Sequence, residues 1–289
     1  MRALFFILAL AASAHAAVVA DALLDFEGVP RGLLVSNTLQ AGVHGTNYLS
    51  LGPFRGTNMT EFERHNAVEF ITTSQFTVTV NGTNYTGTGT NGLEVVMNTE
   101  GALPKSSLQW RFGTPSLNSY PVGAALMFGH VKYSIWTNNT VNLDTFLQNN
   151  SGDQWTVMQS HGGAPGHISA HSADGNLGRI SITTNKLYFF EAIRDSTNAL
   201  LTIRYRDPAD GYARVGTNIF ITFPEPTKGL WEIEFQGGYL FEPSGSVYWD
   251  NVGVVFGRTN FLTEAEMGIP TQASALTGRI NLSGQSVIQ

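Results

Sequence analysis

The chain has 289 residues, of which 42 % are hydrophobic, 13 % are charged and none is cysteine, and its formal net charge is −6 at neutral pH. So few charges, with no basic run among them, exclude a surface built to track nucleic acid. The lack of cysteine excludes a disulfide scaffold, so stability must come from a core, for which this length is ample.

Polarity rests on Gly, Thr, Asn and Ser, a neutral hydroxyl- and amide-rich surface that suits ligands such as sugars. Met1 to Ala3 gives a positive start, Leu4 to Ala12 an apolar run, and Ala14-His15-Ala16 a small-x-small pattern. These read as a secretory signal peptide over residues 1–16, cut near Ala16. The run is too short for a membrane span, which needs about 20 residues, and no later stretch is long enough. Without Arg2, fifteen basic residues face twenty-two acidic ones, giving −7. Export without disulfides points to a bacterial protein, secreted or held in the periplasm or at the cell surface.

Leu23 to Glu27 is the first predicted strand, with Asp25 and Glu27 on one side and Leu24 and Phe26 on the other. Val29 to Gly32 is a turn and Leu33 to Thr38 a second strand. Residues 42–64 are loop-rich. Ala67 to Thr72 and Phe76 to Val80 are strands, and Asn81-Gly82 marks a hairpin turn. Leu93 to Met97, Leu108 to Phe112, Ala125 to Phe128 and Val131 to Trp136 continue the series. Gln154 to Gln159, Gly166 to Ala170, Arg179 to Thr183, Leu187 to Ile193 and Leu200 to Tyr205 follow, then Ile219 to Phe223, Gly229 to Phe235 and Val247 to Phe256.

Short strands with turns about every ten residues, and no long amphipathic helix, predict an all-β, two-sheet antiparallel β-sandwich. It occupies 17–257, and Val247 to Phe256 closes it against the first strand. Residues 258–289 read as a C-terminal extension or linker, with Thr263 and Glu266 at capping-box spacing.

The run Leu187-Tyr-Phe-Phe-Glu-Ala-Ile-Arg-Asp-Ser-Thr-Asn-Ala-Leu-Leu-Thr-Ile-Arg-Tyr205 resembles a hairpin of the concanavalin A-like, laminin G-like jelly rolls. The ending Asp250-Asn-Val resembles the last strand of many carbohydrate-binding jelly rolls. The resemblance covers roughly 21–257 and implies a structural calcium held by acids of the first and last strands. The matching positions are Glu27, Asp25 and Asp250, with carbonyls and water completing six to eight oxygens.

A second group is His161, His167 and His171. A Gly/Pro-rich segment between the first two rules out helical spacing. On strands, His167, Ser169 and His171 share a face, as do Trp155, Val157, Gln159 and His161 of the preceding strand. Across a hairpin these make a sugar platform or an acid/base site. Gln159-Ser-His161 also resembles the Gln-x-His element of jelly-roll polysaccharide lyases, and Tyr188-Phe-Phe loosely resembles their Tyr-Phe-Lys element. That resemblance implies catalytic roles for Gln159, His161 and Tyr188; an enzyme there would need them in one concave groove with a positive partner such as Arg179 or Arg204 nearby. Phe190 stands where those enzymes have Lys, and no Arg-x-Glu-x-Arg strand is found. Trp231-Glu-Ile-Glu-Phe235 resembles the acidic strand of laminarinase-type glycosidases, without its third acid. Trp136, beside a polar loop, is the candidate for sugar stacking.

The expectation is a carbohydrate-binding or surface-interaction module without catalysis. The alternative is a polysaccharide-active enzyme, a lyase or glycosidase, around Gln159, His161 and Tyr188.

Overall fold

The computed structural model describes residues 17–29, 43–45, 55–57, 62–66, 77–86, 91–96, 106–112, 122–133, 142–149, 154–159, 167–172, 175–183, 185–221, 230–238 and 246–269. Strands account for most of them. In chain order they are β1 (Val18–Val19), β2 (Ala22–Leu24), β3 (Val43–Gly45), β4 (Arg55–Thr57), β5 (Phe62–Asn66), β6 (Thr77–Val80) and β7 (Thr83–Thr86). Next come β8 (Asn91–Val96), β9 (Ser106–Arg111), β10 (Ala125–Tyr133), β11 (Asn142–Asn149), β12 (Gln154–Gln159) and β13 (His167–Ser172). The last are β14 (Gly175–Ser181), β15 (Leu187–Asp195), β16 (Leu200–Asp207), β17 (Ala213–Ile221), β18 (Leu230–Gly238) and β19 (Ser246–Phe256). The fold is all-β, a two-sheet antiparallel β-sandwich. Among the described residues no helix is long and apolar enough to cross a membrane.

One sheet runs β17-β16-β15-β10-β19-β2-β3, with β8 also on β19 and β5 on β8. The other runs β14-β13-β12-β11-β18-β9-β4. A three-stranded piece, β1-β6-β7, includes one parallel pair, β1 with β6. Its β6–β7 hairpin turns at Asn81-Gly82, where φ is +50° and +78°. Both residues thus take the left-handed conformation that this tight turn needs.

The core between the sheets holds Trp110, Phe112, Ile180, Tyr188, Phe190, Tyr205, Ile233, Phe235 and Trp249. Alternation explains who enters it: Tyr188, Phe190 and Ala192 face inward from β15, and Leu201, Ile203 and Tyr205 from β16. The alternate residues of the nine-stranded sheet are buried too. Leu126, Phe128, Phe189 and Ile193 form a second core with Val18, Val78, Tyr212, Leu262 and Met267. The middle of that sheet, around β10 and β15, is therefore buried on both faces, its outer side packed against Val18 and Val78 of the small sheet and against Leu262 and Met267 after β19. Gly253 fits this layer only as glycine, because a Cβ there would come within 2.1 Å of the Phe128 ring.

The covering segment, 258–269, begins just past the predicted end of the sandwich. Leu262 and Met267 are buried in the outer core. The capping box forms as its spacing implies: Glu266 N–H donates to Thr263 Oγ1 at 3.2 Å and Thr263 N–H to Glu266 Oε2 at 2.7 Å. Arg258 grips both Glu266 oxygens at 2.6 Å.

Several strands differ from expectation. Ala125 to Phe128 and the start of the next predicted strand are one strand, β10, because burial on both faces erased the alternation that would have joined them. β11 falls where no strand was expected, and β3, β4 and β5 lie in the stretch read as loops. The predicted strands at 33–38 and 67–72 lie outside the described residues.

Candidate functional site: a polar sheet face and an acidic junction

The seven-stranded sheet turns one face to the core. Trp110, Ile180, Ile233 and Phe235 lie in the core, which fixes the inner positions of β9, β14 and β18. Their alternates belong to the outer face. Strand pairing then aligns Thr57, Ser107, Gln236, Asp144, Gln159, Ser169 and Arg179 in one row across all seven strands. Every position in that row carries a polar residue. A neighbouring row on the same face runs Arg55, Gln109, Glu234, Phe146, Thr156, His171 and Asn176. A third joins Arg111, Glu232, Gln148 and Gln154.

The structure thus places Gln159 and His171 on one face, and His167 two positions from Ser169 along β13 shares it. It also corrects one detail of the strand reading. Trp155 pairs with Leu147 and Gln159 with Asp144, and a register shift lies between these pairs. The bulge puts Trp155 and Gln159 on opposite faces, where strict alternation had them together. His161 and Trp136 lie outside the described residues.

Tyr188 does not join this face. It sits in β15 of the other sheet, 2 % exposed, within the core between the sheets. Its hydroxyl accepts the Thr183 N–H at 2.7 Å, which closes the turn before β15. A phenol so placed braces the core and does not meet Gln159. Arg204 is likewise remote from the face. It lies on the covered side of the nine-stranded sheet, donates through Nε to Glu191 Oε2 at 2.5 Å, and donates through Nη2 to the Leu262 carbonyl at 2.9 Å. Glu191 in turn accepts the Leu262 N–H at 2.7 Å. Burial pushes the Glu191 carboxyl up, against the pull of Arg204 and the Leu262 N–H. Arg179, in the polar row, is the arginine that lies with Gln159.

The second arrangement is at the closing strand. β19 gives one edge to β10 and shares the other between two strands: β8 pairs with Ser246 to Trp249, and β2 with Val252 to Val254. Asp250 and Asn251 sit in the gap, Asn251 with φ +50°. The end of β2 leads Asp25 and Glu27 to the same gap. Glu27 Oε1 accepts the N–H of Asn91, the first residue of β8, at 2.9 Å. Asp25 accepts the Glu27 N–H on one oxygen at 3.0 Å and meets His44 Nε2 on the other at 2.9 Å. Tyr85 stacks on His44 with ring centroids 4.2 Å apart.

Asp250 is 4 % exposed. Burial raises its carboxyl well above the usual range; the Asn251 N–H at 2.8 Å opposes this, and the charges of Glu27 and Asp25 add to it. The three acids expected from the resemblance are therefore electrostatic neighbours, and their hard oxygens suit calcium. Their placement is less suited: both Asp25 oxygens are engaged, and among the described residues no three such side chains are arranged to hold a metal ion. His44 was not foreseen, since a lone histidine in a Gly/Asn-rich stretch carries no spacing signal.

No family model matches the chain, and no curated protein matches it. Among solved structures it is similar to a cellulose-induced protein, at 10 % identity over 79 % of this chain and 100 % of that one, with a TM-score of 0.48. It is also similar to an alginate lyase of polysaccharide lyase family 7, at 8 % identity over 58 % and 79 % of the two chains, TM-score 0.41. A third is a botulinum neurotoxin type C structure whose description concerns cell entry through two ganglioside molecules. There the identity is 10 % over 86 % of this chain and 50 % of that one, TM-score 0.46.

Proposed function

We propose that this chain is an exported carbohydrate-binding module of the concanavalin A-like, laminin G-like kind, with its glycan on the outer face of the seven-stranded sheet. The observation that supports this most is the unbroken polar row from Thr57 to Arg179. A soluble sandwich needs polar residues on an outer face, but any mixture of charges would serve. Here the row is mainly hydroxyls and amides, groups that both donate and accept and so match sugar hydroxyls. With strands about 4.8 Å apart, seven of them offer a track of roughly 29 Å, long enough for a linear oligosaccharide. The seclusion of Tyr188 in the core speaks against the lyase-like alternative.

The test is a polysaccharide array read for both binding and cleavage. Binding that weakens at least tenfold in the double variant Gln159→Ala/Gln236→Ala, without release of reducing or unsaturated ends, is the expected result. Cleavage products would replace the binding module with an enzyme. Export is checked by sequencing the mature N-terminus, expected at Ala17.

Calcium at Asp25, Glu27 and Asp250 belongs to the same proposal as a structural ion that would join β2 to β19. What supports it is the like-charge crowding at a buried Asp250. Asp250→Asn should raise the melting temperature in chelator and remove any calcium-dependent shift. A calcium titration of the chelated protein with no heat and no thermal shift would end this part.

A further inference from the structure

The outer side of the nine-stranded sheet is open at its β17 edge, where Arg214, Val215 and Ile219 are exposed. Arginines gather there. Arg204 pairs with Thr217 and Arg206 with Arg214, and Val215 is the extra residue between these pairs. Leu201, Ile203 and Tyr205 point into the core, so Arg204 and Arg206 point to the outer side, with Thr217 and Arg214 beside them. Two arginines thus stand directly opposite one another, a placing that like charges disfavour. Arg204 is a third: burial, then the charges of Arg206 and Arg214, push its pKa down against the pull of Glu191. Two acids nearby are already engaged. Glu191 accepts from Arg204 and from the Leu262 N–H. Asp207, next along β16, alternates to the opposite face, pairs with Lys186 and accepts the Ala209 N–H. Among the described residues, two buried polar atoms at this edge have no hydrogen-bond partner, Arg206 Nε and Thr217 Oγ1. Arg206 is anchored through Nη1, which donates to the Tyr212 carbonyl at 2.8 Å. Ile219, 66 % exposed, follows Thr217 along the same face.

We propose that this edge is a binding site for a tetrahedral oxyanion, the head of a sulfate or phosphate ester. The donors come from three positions on two strands: Arg206, Arg214 and the Thr217 hydroxyl. A planar carboxylate has two oxygens, which a single guanidinium fork satisfies. A sulfate or phosphate group carries at least three acceptor oxygens pointing in different directions, so it serves both arginines and the hydroxyl together. An anion between Arg206 and Arg214 turns their mutual repulsion into a shared attraction. It also supplies an acceptor to the Arg206 Nε and the Thr217 hydroxyl, which are costly to leave buried without one. The exposed Ile219 side chain offers an apolar surface on which the carbon skeleton of the ester can lie. A local cationic spot of this kind works within a chain of net negative charge. The site lies on the other sheet from the proposed glycan face, so neither depends on the other.

The experiment is calorimetric titration of the full chain with inorganic sulfate, inorganic phosphate, phenyl sulfate, phenyl phosphate and benzoate, at one fixed ionic strength. The phenyl esters should bind saturably, about tenfold tighter than benzoate and more tightly than their inorganic parents. Whichever ester binds better names the group the site takes. Arg214→Gln should weaken ester binding about tenfold, and Thr217→Val about threefold. Without ligand, Arg214→Gln should keep or raise the melting temperature, because it removes a like-charge pair. Saturating ester should raise the melting temperature of the parent and not that of the variant. Equal urea midpoints for the variants and the parent show that folding is intact. No saturable binding of any oxyanion, benzoate binding as tightly as the phenyl esters, or affinity unchanged in both variants would each overturn this inference. Equal affinity for a phenyl ester and its inorganic parent would overturn the assignment to an ester.

Discussion

The two sheets obey the same alternation and reach opposite ends. Through β10 and β15 of the nine-stranded sheet both faces are buried, so β15 reads Leu-Tyr-Phe-Phe-Glu-Ala-Ile-Arg-Asp, with Glu191 and Asp195 buried among apolar neighbours. In the seven-stranded sheet β18 reads Trp-Glu-Ile-Glu-Phe-Gln, with Ile233 and Phe235 in the core and polar residues alternating with them along the strand. A face occupied by the segment 258–269 and the small β1-β6-β7 sheet is committed to the fold. The face proposed to bind is the one whose strand positions hold the amides, hydroxyls, histidines and Arg179 in sequence.

Substitutions can break or sharpen this contrast. The largest effect is expected at the buried charge pair under the covering segment. Glu191→Ala leaves the Arg204 guanidinium without its carboxylate and the Leu262 N–H without its acceptor. Breaking such a pair costs about 3–5 kcal/mol, read as a fall in the urea midpoint. Leu262→Ala should cost about 2–4 kcal/mol, because this side chain is 1 % exposed in the outer core. If it costs nothing, the segment does not cover the sheet.

A smaller effect is expected at Glu266. Arg258 holds its carboxyl down at about 2, below the unfolded range near 4.3, despite partial burial. A depressed carboxylate contributes stability that is present above the unfolded value and fades as pH falls toward 2. Glu266→Gln should therefore cost about 1 kcal/mol at neutral pH, and the gap between variant and parent should close between about pH 5 and 2. Unfolding curves across that range check it. The smallest effect belongs to the open face: Glu232→Gln and Arg179→Gln should each change stability by less than about 0.5 kcal/mol. A larger loss from either would mean that the outer face is tied into the fold.

Much of the sandwich was legible because its strands announce themselves where one face is apolar. Val247 to Phe256 reads as a closing strand against the chain's beginning, and β19 does pair with β2. The candidate site was legible in its residues and not in its frame. β11 runs through the middle of the polar face, yet Asn142-Leu-Asp-Thr-Phe-Leu-Gln-Asn149 reads as a polar loop. Its weak strand propensity is overridden by two neighbours, β12 and β18, pairing along its length. The bulge that separates Trp155 from Gln159 was invisible for a related reason. Nothing in Thr156-Val-Met-Gln159 marks an extra residue, and only the partner strand fixes the count. Tyr188 misled through local likeness: its motif-like neighbours say nothing about which sheet the strand joins.

Hydrogen exchange with and without a saturating bound oligosaccharide tests the central claim most directly. Added protection should appear in 142–159, 167–181 and 230–238, and leave 187–207 and 258–269 unchanged. Protection confined to 187–207 or 258–269, with the seven-stranded sheet unaffected under saturating ligand, would contradict it.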